Sequence, residues 1–202
     1  MITLTINDKD FNIANSYEEL SLGQYIDIIK VSESKVQLDS TAADIKVISL
    51  LSDSPEELEK ILWDFNMDDF KELLTYFTWV NDTTVLEKYK SLEPKQIIEI
   101  EDGNYTIINN YNKLSLGEVI SFETLLKQEN SDLHRLDVAF GLLLRPVVDG
   151  KQVKFTQEVF DQIIKIKYKV KVIDIYASIS FFLTGEKQST IKNTKAFSIR
   201  KK

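Results

Sequence analysis

Three stretches hold residue types that could do chemistry. Asp53, Glu56, Glu57, Asp64, Asp68 and Asp69 are six of the seven carboxylates crowded into residues 53–69. A hard cation needs several such oxygens converging on one point. His134 is the only histidine and the natural candidate for a general base. Residues 185–190, Gly-Glu-Lys-Gln-Ser-Thr, resemble the end of a phosphate-binding loop. Each also has a structural reading. The acids bracket helix starts, where negative charge offsets the macrodipole. His134 opens an amphipathic helix beside Arg135, a rim position. A phosphate loop needs an earlier glycine and adjacent Gly-Lys-Ser/Thr after a strand, whereas Gly185 follows a helix and stops it. The structural readings are preferred: no catalytic residue, no metal site, no cofactor, and no enzyme.

Composition narrows the classes further. Cysteine is absent, which removes disulfides, thiol catalysis and Cys-based metal sites. With one histidine, multi-His zinc and Ser-His-Asp chemistry are not expected either. The 202 residues suffice for one large or two small domains. The longest apolar run, 173–183, includes Asp174 and falls well short of the roughly 18–20 residues of a membrane span. Met-Ile-Thr-Leu-Thr puts no basic region ahead of an apolar one, so no secretory signal is expected. Without one, the glycosylation patterns at Asn81 and Asn104 have no meaning. Charge is uneven. Residues 1–185 hold 19 Lys+Arg against 31 Asp+Glu, while residues 186–202 hold six against one, for a net charge of −7. An acidic body does not bind a phosphate backbone. A basic tail can meet nucleic acid, an acidic neighbour or its own body.

The elements that position these residues are written twice. Leu-Ser-Leu-Gly occurs at residues 20–23 and again at 114–117. Shifted by 94 positions, residues 4–23 match residues 98–117 at nine of twenty places without a gap. The match includes Ile13/Ile107, Tyr17/Tyr111 and Gly23/Gly117, with Phe11/Tyr105 conservative. Such a period sets the structural unit. The expected fold is therefore α+β and mostly helical, an internal duplication of a β-hairpin plus about four helices. Residues 1–94 form the first copy and 95–185 the second, with an insertion near 147–155. Residues 186–202 form a basic, flexible C-terminal tail.

Within each copy the upstream residues alternate apolar and polar, as a half-buried strand does. The turns are expected at Asp8-Lys9 and Asp102-Gly103. The two hairpins either pair into one four-stranded sheet or pack each on its own helices. Ser21 and Ser115 are N-caps, and Gln24 and Glu118 three residues later complete capping boxes. Helices are expected over 22–33, 41–51, from Pro55, 67–80, 116–128, 133–144, from Thr156 to about 166, and 170–184. Residues 165–172 (KIKYKVKV) also alternate like a strand.

Several residues exceed local needs. Gly23 and Gly117 sit inside a helix start, where glycine costs up to about 1 kcal/mol. Something close to the backbone is the expected reason, either the copy's own hairpin or a partner chain. Arg145, followed by Pro146 at a helix end, is placed to meet the last carbonyls or an acidic neighbour. Trp63, Trp79, Tyr25 and Tyr89 are the aromatics whose exposure would mark an interface. In the tail, Lys192, Lys195, Arg200, Lys201 and Lys202 are candidate contacts for a partner.

The Leu-Ser-Leu-Gly-[Gln/Glu] entrance, followed by LHRLDVAFGLLLRPV at 133–147, resembles small virion or assembly proteins of tailed bacteriophages. These include tail-assembly-chaperone and baseplate-assembly proteins, and the tail ring or cargo proteins of crAss-like phages. The first copy lacks the Arg-Pro element. The resemblance implies a non-enzymatic structural or assembly protein of the tail or neck, in the virion or the host cytoplasm. Its partners would be other phage structural proteins and further copies of itself in a homo-oligomer or ring, with no membrane. The alternative is a soluble regulatory or nucleic-acid-binding factor using the basic arm.

Overall fold

The computed structural model describes residues 1–34, 39–82, 84, 88–89, 95–108, 113–128 and 132–180, without the side chains of 122, 125–128 and 132–135. The fold is α+β and mostly helical. The chain divides into two compact units, Met1–Tyr89 with Lys165–Asp174, and Lys90–Ile164 with Ile175–Lys202.

In the first unit, β1 (Ile2–Ile6) pairs antiparallel with β2 (Lys9–Ile13). The turn falls at Asn7-Asp8, with φ of 51° and 60°, one residue before the expected place. Both central positions of this tight turn need positive φ, which Asn and Asp tolerate and Lys does not. Four helices follow: α1 (Leu22–Ser34), α2 (Ser40–Leu50), α3 (Pro55–Leu62) and α4 (Met67–Thr75). Asp39 caps α2 by accepting from Thr41 N at 2.8 Å, and Asn66 caps α4 by accepting from the amides of Asp68 and Asp69. Ser54 precedes α3 without a side-chain cap bond; its own amide donates to Ser52 Oγ instead. α4 stops at Thr75, short of the expected Val80, and a 3₁₀ turn covers Thr78–Asn81. Phe11, Ile13, Leu22, Ile26, Leu58 and Leu62 lie in the core.

The second unit begins with β3 (Ile97–Ile100) and β4 (Gly103–Ile107). Ile100 pairs with Gly103, so the turn is Glu101-Asp102, one residue before the expected Asp102-Gly103, and Gly103, at φ 136°, opens the strand. Then come α5 (Leu116–Gln128) and α6 (Asp132–Leu143). Arg145 and Pro146 do not end a helix directly. They lie in β5 (Leu144–Val148), which pairs with β4 and then with β6 (Lys151–Gln152). Asp149 (φ 51°) and Gly150 (φ 72°) form the turn between them, so the inserted segment is a third hairpin arm. α7 (Gln157–Lys165) follows, led by Thr156, whose Oγ1 accepts from Val159 N.

The sheets settle the choice between the two hairpin arrangements. β1 and β2 form a two-stranded sheet, and β3–β6 form a separate four-stranded one. Each hairpin nevertheless gains a third partner at the same place in its own unit. In the first, Ala14 N donates to Leu51 O and Ile13 bridges Ser52. In the second, Ile108 N donates to Leu143 O and Ile107 pairs with Leu144. The first stops at one bridge because Pro55 already starts α3, whereas the second has nine more residues before its third helix and continues as a strand.

Residues 165–172 resolve differently from either expectation. Ile166–Tyr168 form a 3₁₀ turn, and the chain then lies along the start of α1. Leu22 N donates to Val170 O, Val172 N donates to Leu20 O, and Lys171 bridges Ser21. Residues 172–180 are helical, starting later than the expected residue 170, because 170 and 171 are engaged in this pairing.

Candidate functional site

Both helix entrances are capping boxes. In the first, Gln24 N donates to Ser21 Oγ at 3.2 Å and Ser21 N donates to Gln24 Oε1 at 3.1 Å. In the second, Glu118 N donates to Ser115 Oγ at 3.3 Å and Ser115 N donates to Glu118 Oε2 at 2.6 Å. The spare end of each N3 side chain then differs in kind. Gln24 Nε2 donates to Leu50 O at 3.0 Å. The Glu118 carboxylate can only accept, and it takes Arg145 Nη2 at 2.5 Å.

Arg145 occupies the ladder place that Asp53 holds in the first unit: Asp53 N donates to Asn12 O, and Arg145 pairs with Thr106, 94 positions after Asn12. Arg145 is 2% exposed; its Nη1 donates to Leu144 O and its guanidinium lies 4.8 Å from the Phe155 ring centroid. Burial would push the Glu118 carboxyl up, but the bonds from Ser115 and Arg145 outweigh it and hold the group below its usual range. Burial pulls the Arg145 guanidinium down against the opposing pull of Glu118. The pair fixes the α5 start onto β5. Its charges are spent on each other.

The two glycines part company. The Tyr168 ring lies over Gly23, where a Cβ would stand 2.3 Å from Cδ1. The close approach comes from residues 165–172, neither the hairpin nor a second chain. Tyr168 Oη donates to Asp27 Oδ2 at 2.7 Å, which fixes the ring. In the same helix turn Leu22 and Ile26 are fully buried. At Gly117 a Cβ would meet none of the described residues within 4 Å. Leu116 is 76% exposed and Ile120 55% exposed, although both stand 94 positions after buried residues. Beside them opens a cleft of about 400 Å³ lined by Ile120, Ser121, Thr124, Phe155 and Phe160, among others.

The remaining candidates disperse. Trp63 is 57% exposed. Trp79 is half-buried edge-on to Tyr17, 5.1 Å between centroids. Tyr25 stands 6.4 Å from Tyr17 and lines a cleft of about 470 Å³ in the first unit. Tyr89 donates to the Glu18 carboxylate, which pushes its phenol up to about 12. The acids of residues 53–69 are distributed: Asp53 accepts from Asn12, Glu57 pairs with Lys9, and Asp69 accepts from Asn66. Among the described residues no three His, Asp or Glu are placed to hold a metal ion, and no helix is long and apolar enough to cross a membrane. The His134 side chain and Lys192, Lys195, Arg200, Lys201 and Lys202 lie outside the described residues. The repeat aligns the neutral Gln24 with the acidic Glu118, but Arg145 comes opposite Asp53 only through the strand ladder, so its pairing with Glu118 has no local signal in the sequence. No protein-family model, curated protein or solved structure matches the chain.

Proposed function

We propose that this chain is a non-enzymatic structural or assembly protein of the tail or neck region of a tailed bacteriophage, acting through protein–protein interfaces, and that its halves descend from one module copied in tandem. The observation that carries the reading is the uncovered entrance of α5. Leu116, Gly117 and Ile120 stand 94 positions after Leu22, Gly23 and Ile26, which the first unit buries, and among the described residues they are exposed beside an apolar cleft. Exposing two large aliphatic side chains at one helix start is unfavourable unless a partner removes them from water. The resemblance of the two entrances to phage assembly proteins supplies the setting.

The test is quantitative mass spectrometry of particles and assembly intermediates purified from the phage source. Peptides of this chain at fixed stoichiometry support the reading, and their absence from both overturns it. A Leu116→Glu/Ile120→Glu chain is expected to be lost from whichever fraction holds the wild type.

A further inference from the structure

We infer that β1 is a self-pairing edge: two copies of this chain join β1 to β1, antiparallel, about a two-fold axis at Leu4. The inference stands on the strand itself and does not depend on the phage reading.

β1 reads Ile-Thr-Leu-Thr-Ile, the same in both directions. All five residues pair with β2 without a bulge, and the sheet ends there as a two-stranded one. The two-residue turn at Asn7-Asp8 makes Ile6 and Lys9 a hydrogen-bonded pair, and such pairs alternate along an antiparallel ladder. Ile2, Leu4 and Ile6 therefore direct their backbone groups to β2. The N–H and C=O of Thr3 and Thr5 point the other way. Among the described residues no backbone group bonds them.

These outward groups fit a copy of themselves. With the axis at Leu4, Thr3 lies opposite Thr5 of the second copy, and Thr5 opposite its Thr3. Each of these pairs exchanges both its N–H···O bonds, so every outward group on both strands is satisfied. Leu4 faces Leu4 in the closer, non-bonded kind of pair, and Ile2 meets Ile6. The palindrome thus sets like against like at every place, with no charge among them. Burial shows the same unfinished edge. Phe11 and Ile13 on β2 are buried, whereas Leu4 and Ile2, directly opposite them on the same face, are only half-buried. On the other face Thr3 Oγ1 donates to Asn12 at 3.4 Å and Thr5 Oγ1 to Asp10 at 2.7 Å, which ties both side chains to β2.

Sheet edges are ordinarily guarded by charge, proline or a bulge. β1 has none of these. The matching edge of the second unit, β3, is guarded: the equivalent axis at Ile98 would set the apolar Ile97 against the Glu99 carboxylate. A two-stranded sheet is marginal by itself. Joined, the two hairpins make one four-stranded sheet, the size that β3–β6 reach within one chain. The contact is isologous, so it closes at two copies.

The chain has no cysteine, so one introduced thiol reports the axis. Oxidised Leu4→Cys is expected to form a disulfide-linked dimer, because facing Cα atoms in a non-bonded pair stand about 4.5 Å apart. Thr3→Cys is expected not to, since its own counterpart lies two residues out of register, beyond the roughly 7 Å a disulfide spans. Sedimentation velocity of the full chain, over a series up to about 1 mM, is expected to take wild type from monomer to dimer. Thr3→Lys/Thr5→Lys alone and Thr3→Glu/Thr5→Glu alone change exposed positions, so circular dichroism should not alter, but each should stay monomeric because like charges meet across the axis. Mixed in equal amounts, they should form a heterodimer. Three results would each overturn the contact: a monomeric wild type at every concentration, a lysine chain that dimerises like wild type, or an oxidised Leu4→Cys chain that stays unlinked.

Discussion

Tyr168 covers Gly23 so closely that a methyl group there would stand 2.3 Å from Cδ1 of the ring, while the same methyl on Gly117 would touch none of the described residues. One substitution therefore has opposite signs in the two units. Gly23→Ala must push the ring off the helix and is expected to destabilise by about 1–3 kcal/mol, the usual cost of overpacking. Gly117→Ala is expected to stabilise by up to about 1 kcal/mol, because alanine is the better helix residue and nothing opposes it. Urea denaturation followed by far-UV circular dichroism, at protein concentrations low enough to avoid association, measures both. Equal losses would show that the two entrances are covered alike.

The hydroxyl of Tyr168 contributes separately from its ring. Tyr168→Phe keeps the ring on Gly23 and deletes only the bond to Asp27. The expected loss is about 0.5–1.5 kcal/mol, the net worth of one hydrogen bond. A double-mutant cycle with Asp27→Ala isolates the pair, since Asp27 also holds Lys30. A coupling of zero would mean that the hydroxyl does not hold the segment.

What the sequence discloses follows the range over which each feature is determined. The capping boxes at Ser21/Gln24 and Ser115/Glu118 are set by contacts three residues apart, so their chemistry is written in one short stretch. The same holds for α5, whose expected span of 116–128 is the observed one. Both hairpin turns lie one residue before the places the sequence suggests, at Asn7-Asp8 and Glu101-Asp102, because the register sets Ile6 opposite Lys9 and Ile100 opposite Gly103. Asp149-Gly150 is as strong a local turn signal as Asp102-Gly103, yet a segment without a counterpart in the first copy invited no comparison. The fate of residues 165–172 was not legible. Their alternation is real, but what they pair with is Leu20–Leu22, far away in the chain. Arg145 is the intermediate case: an acidic neighbour was foreseeable in kind, and only the β4–β5 register makes it Glu118.

Glu118 and Arg145 form a buried pair whose halves do not substitute for each other. Glu118→Gln restores the residue type that Gln24 represents in the first unit, and it keeps an oxygen for the Ser115 amide. It also leaves Arg145 charged, buried and without its counterion, so the expected loss is about 3–5 kcal/mol. Arg145→Met together with Glu118→Gln removes both charges at similar volume and is expected to recover most of that loss. Urea midpoints of the single and double variants make the comparison. A double variant worse than the single would mean that the guanidinium supports β5 through Leu144 O and Phe155 more than through Glu118.

The same carboxylate sets a pH dependence whose sign is fixed. In the folded chain the Glu118 carboxyl is held below its usual range, since the bonds from Ser115 and Arg145 outweigh the effect of burial. The unfolded chain lacks those bonds and binds the proton at higher pH. The stabilisation is therefore fully present above the unfolded value of about 4.3 and is lost as pH falls through the lower folded value. Glu118→Gln cannot titrate, so its deficit against wild type should be largest at neutral pH. It should narrow on acidification, as the protonated wild-type carboxyl comes to resemble the amide. Parallel urea titrations of the two chains from neutral pH into the acid range give this difference directly. A deficit that stays constant across that range would show that Glu118 stabilises the α5 entrance by its shape and capping bond alone, with no contribution from its charge.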